Sequence, residues 1–305
     1  MLTNCLFRFS YLAAFAPVRY LCLFMILTAI VATGQPGSPN PDHVVIKAVA
    51  NMYREPNLDT EVVSQAIYGT NLSALQSSGE WMKVRTTDDY VGWMKADGLR
   101  HLEGLPYASS GNIIRVAQLS ANIYRETDVT KRAPVITVPW DTRLELVEDH
   151  VGGDRWLKVR LPDDQEAYIQ RGDITSDFAP LTIEQTIALA KKFMGLTYTW
   201  GGTSSFGYDC SGYMQMLIRQ RGKTMPRDAS LQAVWEGSVP VDRKQLQPGD
   251  LLYFGETREK VTHTGMYIGN GEFIHDTTSN NPMVQISKLD DDHWTKIFIS
   301  ARRIK

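Results

Sequence analysis

Cysteine is almost missing from this chain of 305 residues. There are three, and two of them, Cys5 and Cys22, fall in an N-terminal segment that reads as an export signal. Cys210 is then the single thiol of the mature protein, so no internal disulfide can form there. An excess of one charge is also lacking. The formal net charge is -2 with both signs interspersed, which removes the electrostatic case for nucleic acid. Nor is there an apolar run long enough to span a bilayer comfortably. The run at residues 20–32 follows Arg19 and falls short of the roughly 20 apolar residues a spanning helix needs. Small residues end it, and Ala32-Thr33-Gly34 suits cleavage. The expectation is a protein exported to the periplasm or the extracellular space, with residues 1–34 removed and no stable membrane insertion afterwards. No Cys-x-x-Cys or His-x-x-x-His spacing supports a zinc site, so neither a metal nor an organic cofactor is expected.

What is present is a repeat. After a spacer at residues 35–42, Ala50-Asn51-Met52-Tyr53-Arg54-Glu55 recurs as Ala121-Asn122-Ile123-Tyr124-Arg125-Glu126. Trp81-Met82-Lys83-Val84-Arg85 likewise recurs as Trp156-Leu157-Lys158-Val159-Arg160. Short alternating segments broken by turn residues predict a small all-β barrel for each copy. Both copies resemble bacterial SH3-type domains, which divides this part into residues 43–105 and 110–177.

From about residue 180 to 305 the pattern changes. Thr182 and Gln185 form a capping box, followed by Ile183, Ile187, Ala190 and Met194 on one helical face and by Gly195 as a stop. Cys210 to Arg221 predicts a second helix with Met214, Leu217 and Ile218 inward. Residues 251–254, 265–268, 272–276 and 297–301 read as strands. Helices followed by strands indicate an α+β domain.

Cys210 opens its helix behind Asp209, a natural N-cap. Backbone N–H groups and the helix dipole at that position favour a thiolate, as would a neighbouring imidazolium, for which His263 is the candidate. Arg227 is read as structural, and His43, His101, His150 and His293 as surface residues. The hairpin between His263 and His275 decides whether the two imidazoles meet. A two-residue Asn270-Gly271 loop would set His275 opposite Met266 and His263 on the other face. A three-residue loop, Gly269-Asn270-Gly271, would set His275 opposite Gly265, diagonal to His263. The three-residue loop is therefore predicted, with His275 orienting His263.

Six motifs in order carry a wider resemblance: Tyr198-x-Trp200-Gly201-Gly202, Asp209-Cys210-Ser211-Gly212, Pro226-Arg227-Asp228, Pro248-Gly249-Asp250-Leu251, His263-x-Gly265-x-Tyr267-x-Gly269 and Phe273-Ile274-His275. The segment resembles the NlpC-type cysteine peptidases of bacterial cell walls. That resemblance implies a papain-like α+β catalytic domain, its N-terminal helices packed on an antiparallel sheet, behind two SH3-type barrels. It implies Cys210 as nucleophile, His263 as base, His275 as the residue that orients it, and Tyr198 near the oxyanion. The arrangement is similar to a subgroup of γ-D-glutamyl-L-diamino-acid endopeptidases that prefer stem peptides with a free N-terminal L-alanine. For that amine the resemblance implies Asp228, Asp209, Ser211 and, from the first barrel, Tyr90. Ala229 stands where a serine is common, and Val63 or Ser64 where some relatives carry a glutamate. The partners expected are peptidoglycan stem peptides, acted on by a monomer. An amidase or acyltransferase using the same Cys-His layout, or a silent wall-binding module, are the alternatives.

Overall fold

The computed structural model describes residues 40–279 and 281–305. The proposed leader and most of the spacer lie outside the described residues. Among those described, no helix is long and apolar enough to cross a membrane.

The first of three regions is a sheet of seven strands: β1 (His43–Val45), β2 (Val49–Tyr53), β3 (Val62–Ile67), β4 (Asn71–Ser78), β5 (Trp81–Thr86), β6 (Val91–Lys95) and β7 (Leu99–His101). The second region has seven more: β8 (Ile113–Val116), β9 (Ser120–Tyr124), β10 (Ile136–Pro139), β11 (Arg143–Val151), β12 (Trp156–Arg160), β13 (Glu166–Gln170) and β14 (Ile174–Thr175). The spatial orders are β3-β2-β6-β5-β4-β1-β7 and β10-β9-β13-β12-β11-β8-β14, so the second repeats the first strand for strand. Strand alternation turns Val45, Met52, Leu72, Val84 and Met94 into the first core. In the second, Ile114, Ile123, Leu144, Val159 and Ile169 do the same.

The third region contains α1 (Ile183–Lys192), the short pair β15 (Thr203–Ser204) and β16 (Gly207–Tyr208), α2 (Cys210–Gln220) and α3 (Ala229–Gln232). Then come β17 (Ser238–Val241), β18 (Leu251–Gly255), β19 (Val261–Gly269), β20 (Glu272–Thr277), β21 (Met283–Lys288), α4 (Asp292–Ile297) and β22 (Phe298–Ile304). Its six-stranded sheet runs β17-β22-β18-β19-β20-β21, and every pairing in it is antiparallel. The capping box on α1 forms as expected, with the Thr182 hydroxyl accepting from Gln185 N–H and the Gln185 side chain accepting from Thr182 N–H. The buried face of α1 differs from the expectation. Thr186, Leu189 and Ala190 are buried, whereas Ile183 and Met194 are exposed, because Met194 lies past the helix end and α2 approaches from the other side. α2 is buried on nearly all sides, with Met214, Leu217 and Ile218 fully enclosed.

The regions interlock through polar contacts. Thr203 donates from its N–H to Gln65 Oε1 at 3.1 Å and from its hydroxyl to Gln65 O at 3.0 Å. Trp140 N–H donates to Ser205 Oγ at 2.9 Å, and Arg219 on α2 pairs with Asp141 at 3.1 Å.

Candidate active site

Cys210 is the first residue of α2, and Asp209 caps that helix by accepting from Gly212 N–H at 2.7 Å. Gly212 has to be glycine: a Cβ there would lie 2.2 Å from the Gly202 carbonyl oxygen. That close approach binds the Trp200-Gly201-Gly202 turn to the start of the helix. The sulfur lies against β19 on both sides of His263. Its hydrogen bond goes to the Thr262 carbonyl at 3.9 Å, and the Thr264 N–H is directed at it.

The two imidazoles meet. His263 Nε2 and His275 Nδ1 are 2.8 Å apart, and His275 Nε2 is 3.0 Å from Ser287 Oγ on β21. The loop that achieves this is not the predicted one. Gly269 pairs with Glu272, leaving a two-residue Asn270-Gly271 turn with both residues at positive φ (54° and 77°). A bulge between Tyr267 and Gly269 then supplies the extra residue, restoring the register in which Met266 faces Ile274 and His275 falls opposite Gly265. A Cβ on Gly265 would lie 2.8 Å from the Phe273 ring and 3.0 Å from His275 Cβ, so glycine allows the close approach of β20 rather than making room for the His275 ring itself.

One direction of donation satisfies the whole relay. If His263 Nδ1 is kept free to take a proton, Nε2–H donates to His275 Nδ1 and His275 Nε2–H donates to Ser287. Trp294, from α4, stacks on His263 with ring centroids 5.2 Å apart and an interplanar angle of 29°. The same indole meets His275 edge-on at 4.8 Å. Neither Ser287 nor Trp294 was legible as a site residue, since no local pattern distinguishes them.

The residues proposed for amine recognition divide into two groups. Tyr90, on the loop between β5 and β6, crosses to the third region, where its hydroxyl donates to Asp228 Oδ1 at 3.2 Å. Asp209 and Ser211 are instead consumed internally. Arg227, 2% exposed, donates to Asp209 Oδ1 at 3.0 Å and Oδ2 at 2.5 Å, to Ser211 Oγ at 2.8 Å and to Ser64 Oγ at 3.2 Å. With Gly201 N–H also on Asp209 Oδ2, that carboxylate has no free lone pair aimed at a ligand. Tyr198, tied by its N–H to Pro282 O, is half-buried, and its phenol is pushed up by burial first and by Cys210 and Asp209 after it.

A family model described as "NlpC/P60 family" matches residues 195–303, and one described as "Bacterial dipeptidyl-peptidase Sh3 domain" matches residues 52–99. A γ-D-glutamyl-L-lysine dipeptidyl-peptidase of Bacillus cereus is 30% identical over 256 residues, which cover 79% of this chain and 74% of that protein. The chain belongs to the NlpC/P60 family. A Bacillus subtilis protein of the same name is 28% identical over 260 residues, covering 80% of this chain and 82% of that one. The crystal structure of an NlpC/P60 family protein from Bacillus cereus superposes with a TM-score of 0.74 at 26% identity, covering 86% of this chain and 99% of the other. The protein is a cysteine peptidase with an SH3 domain ahead of its NlpC/P60 domain.

The electrostatics of this NlpC/P60 site depart from the thiolate expected at rest. Cys210 is 7% exposed, and burial, then the Asp209 carboxylate, push its thiol up to about 12. The Thr264 N–H, the Arg227 guanidinium and the Ser211 N–H pull the other way and lose. Burial, with the neighbouring His293, pushes His263 down to about 3. Burial therefore works against both the thiolate and the imidazolium. Desolvation opposes a lone thiolate and a lone imidazolium alike. His293 thus touches the site's electrostatics, and His43 is partly enclosed beside Asp42 and His101 rather than fully at the surface.

Proposed function

We propose that this chain is an exported cysteine endopeptidase that hydrolyses the γ-D-glutamyl–L-diamino-acid bond of peptidoglycan stem peptides bearing a free N-terminal L-alanine. The observation that carries the reading is the Tyr90–Asp228 contact, which ties the first barrel to the third region and which this reading takes as the closed end of the substrate cleft. A closed end excludes long chains, and a carboxylate there pairs with an ammonium. Asp228, held beside Arg227 and Tyr90, is the acidic group free to do so. The names of the Bacillus relatives support the same bond. The domain division consistent with this reading is 1–34 leader, 35–42 spacer, 43–105 and 110–177 two SH3-type barrels, and 180–305 catalytic. The repeated strand order supports the second barrel.

In this reaction the Cys210 sulfur attacks the γ-carbonyl of D-glutamate while His263 takes the thiol proton. His275 accepts from His263 Nε2–H and so favours the imidazolium once it forms. The imidazolium returns that proton to the departing amine of the diamino acid, leaving an acyl-enzyme. Water, deprotonated by His263, then releases the acid. The oxyanion is stabilised by the Cys210 N–H at the helix start and by Tyr198. Offering the enzyme L-Ala-γ-D-Glu-diaminopimelate with and without N-acetylation, and following the products by mass, tests this. Cleavage of the free-amine form alone is expected. Equal cleavage of both removes the closed-end argument, and cleavage by a Cys210→Ala variant removes the mechanism.

A further inference from the structure

The sheet face that receives α2 carries two adjacent rows of unlike chemistry. Leu251, Met266, Ile274 and Ile286 pair in register across four strands and form part of an ordinary apolar core. Two residues along each strand, toward the Cys210 end, lie Tyr253, Thr264 and Asp276. Tyr253 pairs with Thr264, and the β19–β20 register sets Thr264 opposite Asp276. All three are fully buried. The Tyr253 hydroxyl, the Thr264 hydroxyl and both Asp276 carboxyl oxygens have no hydrogen-bond partner among the described residues. A sheet that needed only a core would carry aliphatic side chains here, as the neighbouring row does. Unpartnered buried polar groups are costly and rare, so each calls for an explanation.

The row lies under the reacting atoms. Thr264, its middle member, directs its own N–H at the Cys210 sulfur. Asp276 is close enough to act electrostatically on Tyr198, on Tyr208 of β16 and on Tyr213 of α2. The charge that acts on it is Asp209 at the α2 cap, whose own partner is the Arg227 guanidinium. From β18 it meets only the neutral Tyr253, and from β21 the apolar Val284. His275, next on its own strand, points to the opposite face by strand alternation.

We propose that Asp276 is an electrostatic positioning residue of this site, a buried carboxyl beneath the start of α2 that governs how readily negative charge develops at Cys210 and beside Tyr198. Its ionisation would place an uncompensated anion under the same helix turn. That anion opposes both the thiolate and the oxyanion of the tetrahedral intermediate. Burial, then the Asp209 carboxylate, push the Asp276 carboxyl up to about 8, and the nearby Thr277 N–H, although outside hydrogen-bonding geometry, opposes this weakly. The group is thus protonated at neutral pH and yields its proton to solvent as pH rises through that value. The inference rests on the catalytic roles assigned above, and its test separates the two.

The full chain is compared with its Asp276→Asn and Asp276→Val variants. Two rates are followed between about pH 6 and about pH 10: kcat/KM on the free-amine tripeptide, and iodoacetamide labelling of Cys210 read by mass on its own peptide. The expected result is a variant-to-wild-type ratio that is level on the acid side and rises several-fold across the alkaline side, for both rates and both variants. A ratio that stays flat with pH overturns the proposal while leaving the peptidase reading intact. A rising labelling ratio without any peptide cleavage supports the proposal and sinks the assigned reaction. Carboxyl-carbon NMR of the wild-type chain reads the same group without mutation. A midpoint for Asp276 in the ordinary carboxylate range would overturn the proposal even if neither variant folds.

Discussion

Replacing Arg227 by methionine tests whether the pair behind Cys210 is a buried ion pair in energetic fact. The guanidinium is 2% exposed and binds both Asp209 oxygens, Ser211 and Ser64. Methionine fills much of the same volume but leaves the Asp209 carboxylate enclosed without a countercharge. Removing one member of such a pair costs about 3–5 kcal/mol, a large part of the roughly 5–15 kcal/mol that holds a domain folded. Were the pair worth only what an exposed one is, the loss would stay below about 1 kcal/mol. In urea, with a slope of about 2 kcal/mol per molar, the buried case shifts the midpoint down by about 2 M. Cys210 is a convenient reporter, because its labelling in urea follows the opening of this part of the chain. The double variant Asp209→Asn with Arg227→Met keeps a good helix cap and removes both charges. It should recover to within about 2 kcal/mol of the wild type. A single Arg227→Met variant whose midpoint lies close to the wild type would refute the reasoning.

Three further outcomes are expected. Gly201 sits at φ 74°, and a Cβ there would lie 2.5 Å from the Val62 carbonyl oxygen, so Gly201→Ala should push the first barrel off the cleft. Cleavage of N-acetylated peptide would then rise relative to the free-amine form, measured by competition between the two. Ser287→Ala leaves the buried His275 Nε2 without its partner. A loss of about 1–3 kcal/mol of orientation predicts a fall in kcat of roughly five- to 150-fold with KM little changed, and steady-state kinetics separates the two terms. The Asp228 carboxyl is raised by burial, against the pull of Arg227 and Tyr90. It therefore becomes neutral, as pH falls, earlier than an ordinary aspartate does. KM for the free-amine peptide should climb on that acid side, and Asp228→Asn should have a high KM with no such dependence.

Elements set by a few neighbouring residues are legible in the sequence alone. The Thr182–Gln185 capping box, the Asp209 cap with Cys210 as first helical residue, and the four strands from residue 251 onward each follow from local chemistry. So do the repeated Asn-x-Tyr-Arg and Trp-x-Lys-Val-Arg segments, which fold into sheets with the same strand order. The motif series around Cys210, His263 and His275 was enough to indicate the family.

Tertiary structure decided whatever depends on partners distant in the chain or on burial. The hairpin needed the correct register but reached it through a bulge at Ile268, which the turn residues alone do not encode. Asp209 and Ser211 carry the right chemistry to bind an amine, yet Arg227 arrives from the next loop and occupies them. Ser287, Trp294 and the Tyr90–Asp228 contact come from elements whose meeting no local pattern encodes. The protonation states of Cys210, His263 and Asp276 belong to this second class as well. A residue's type sets its pKa in water, but the cost of charging it inside a protein depends on how much solvent the surrounding fold has removed.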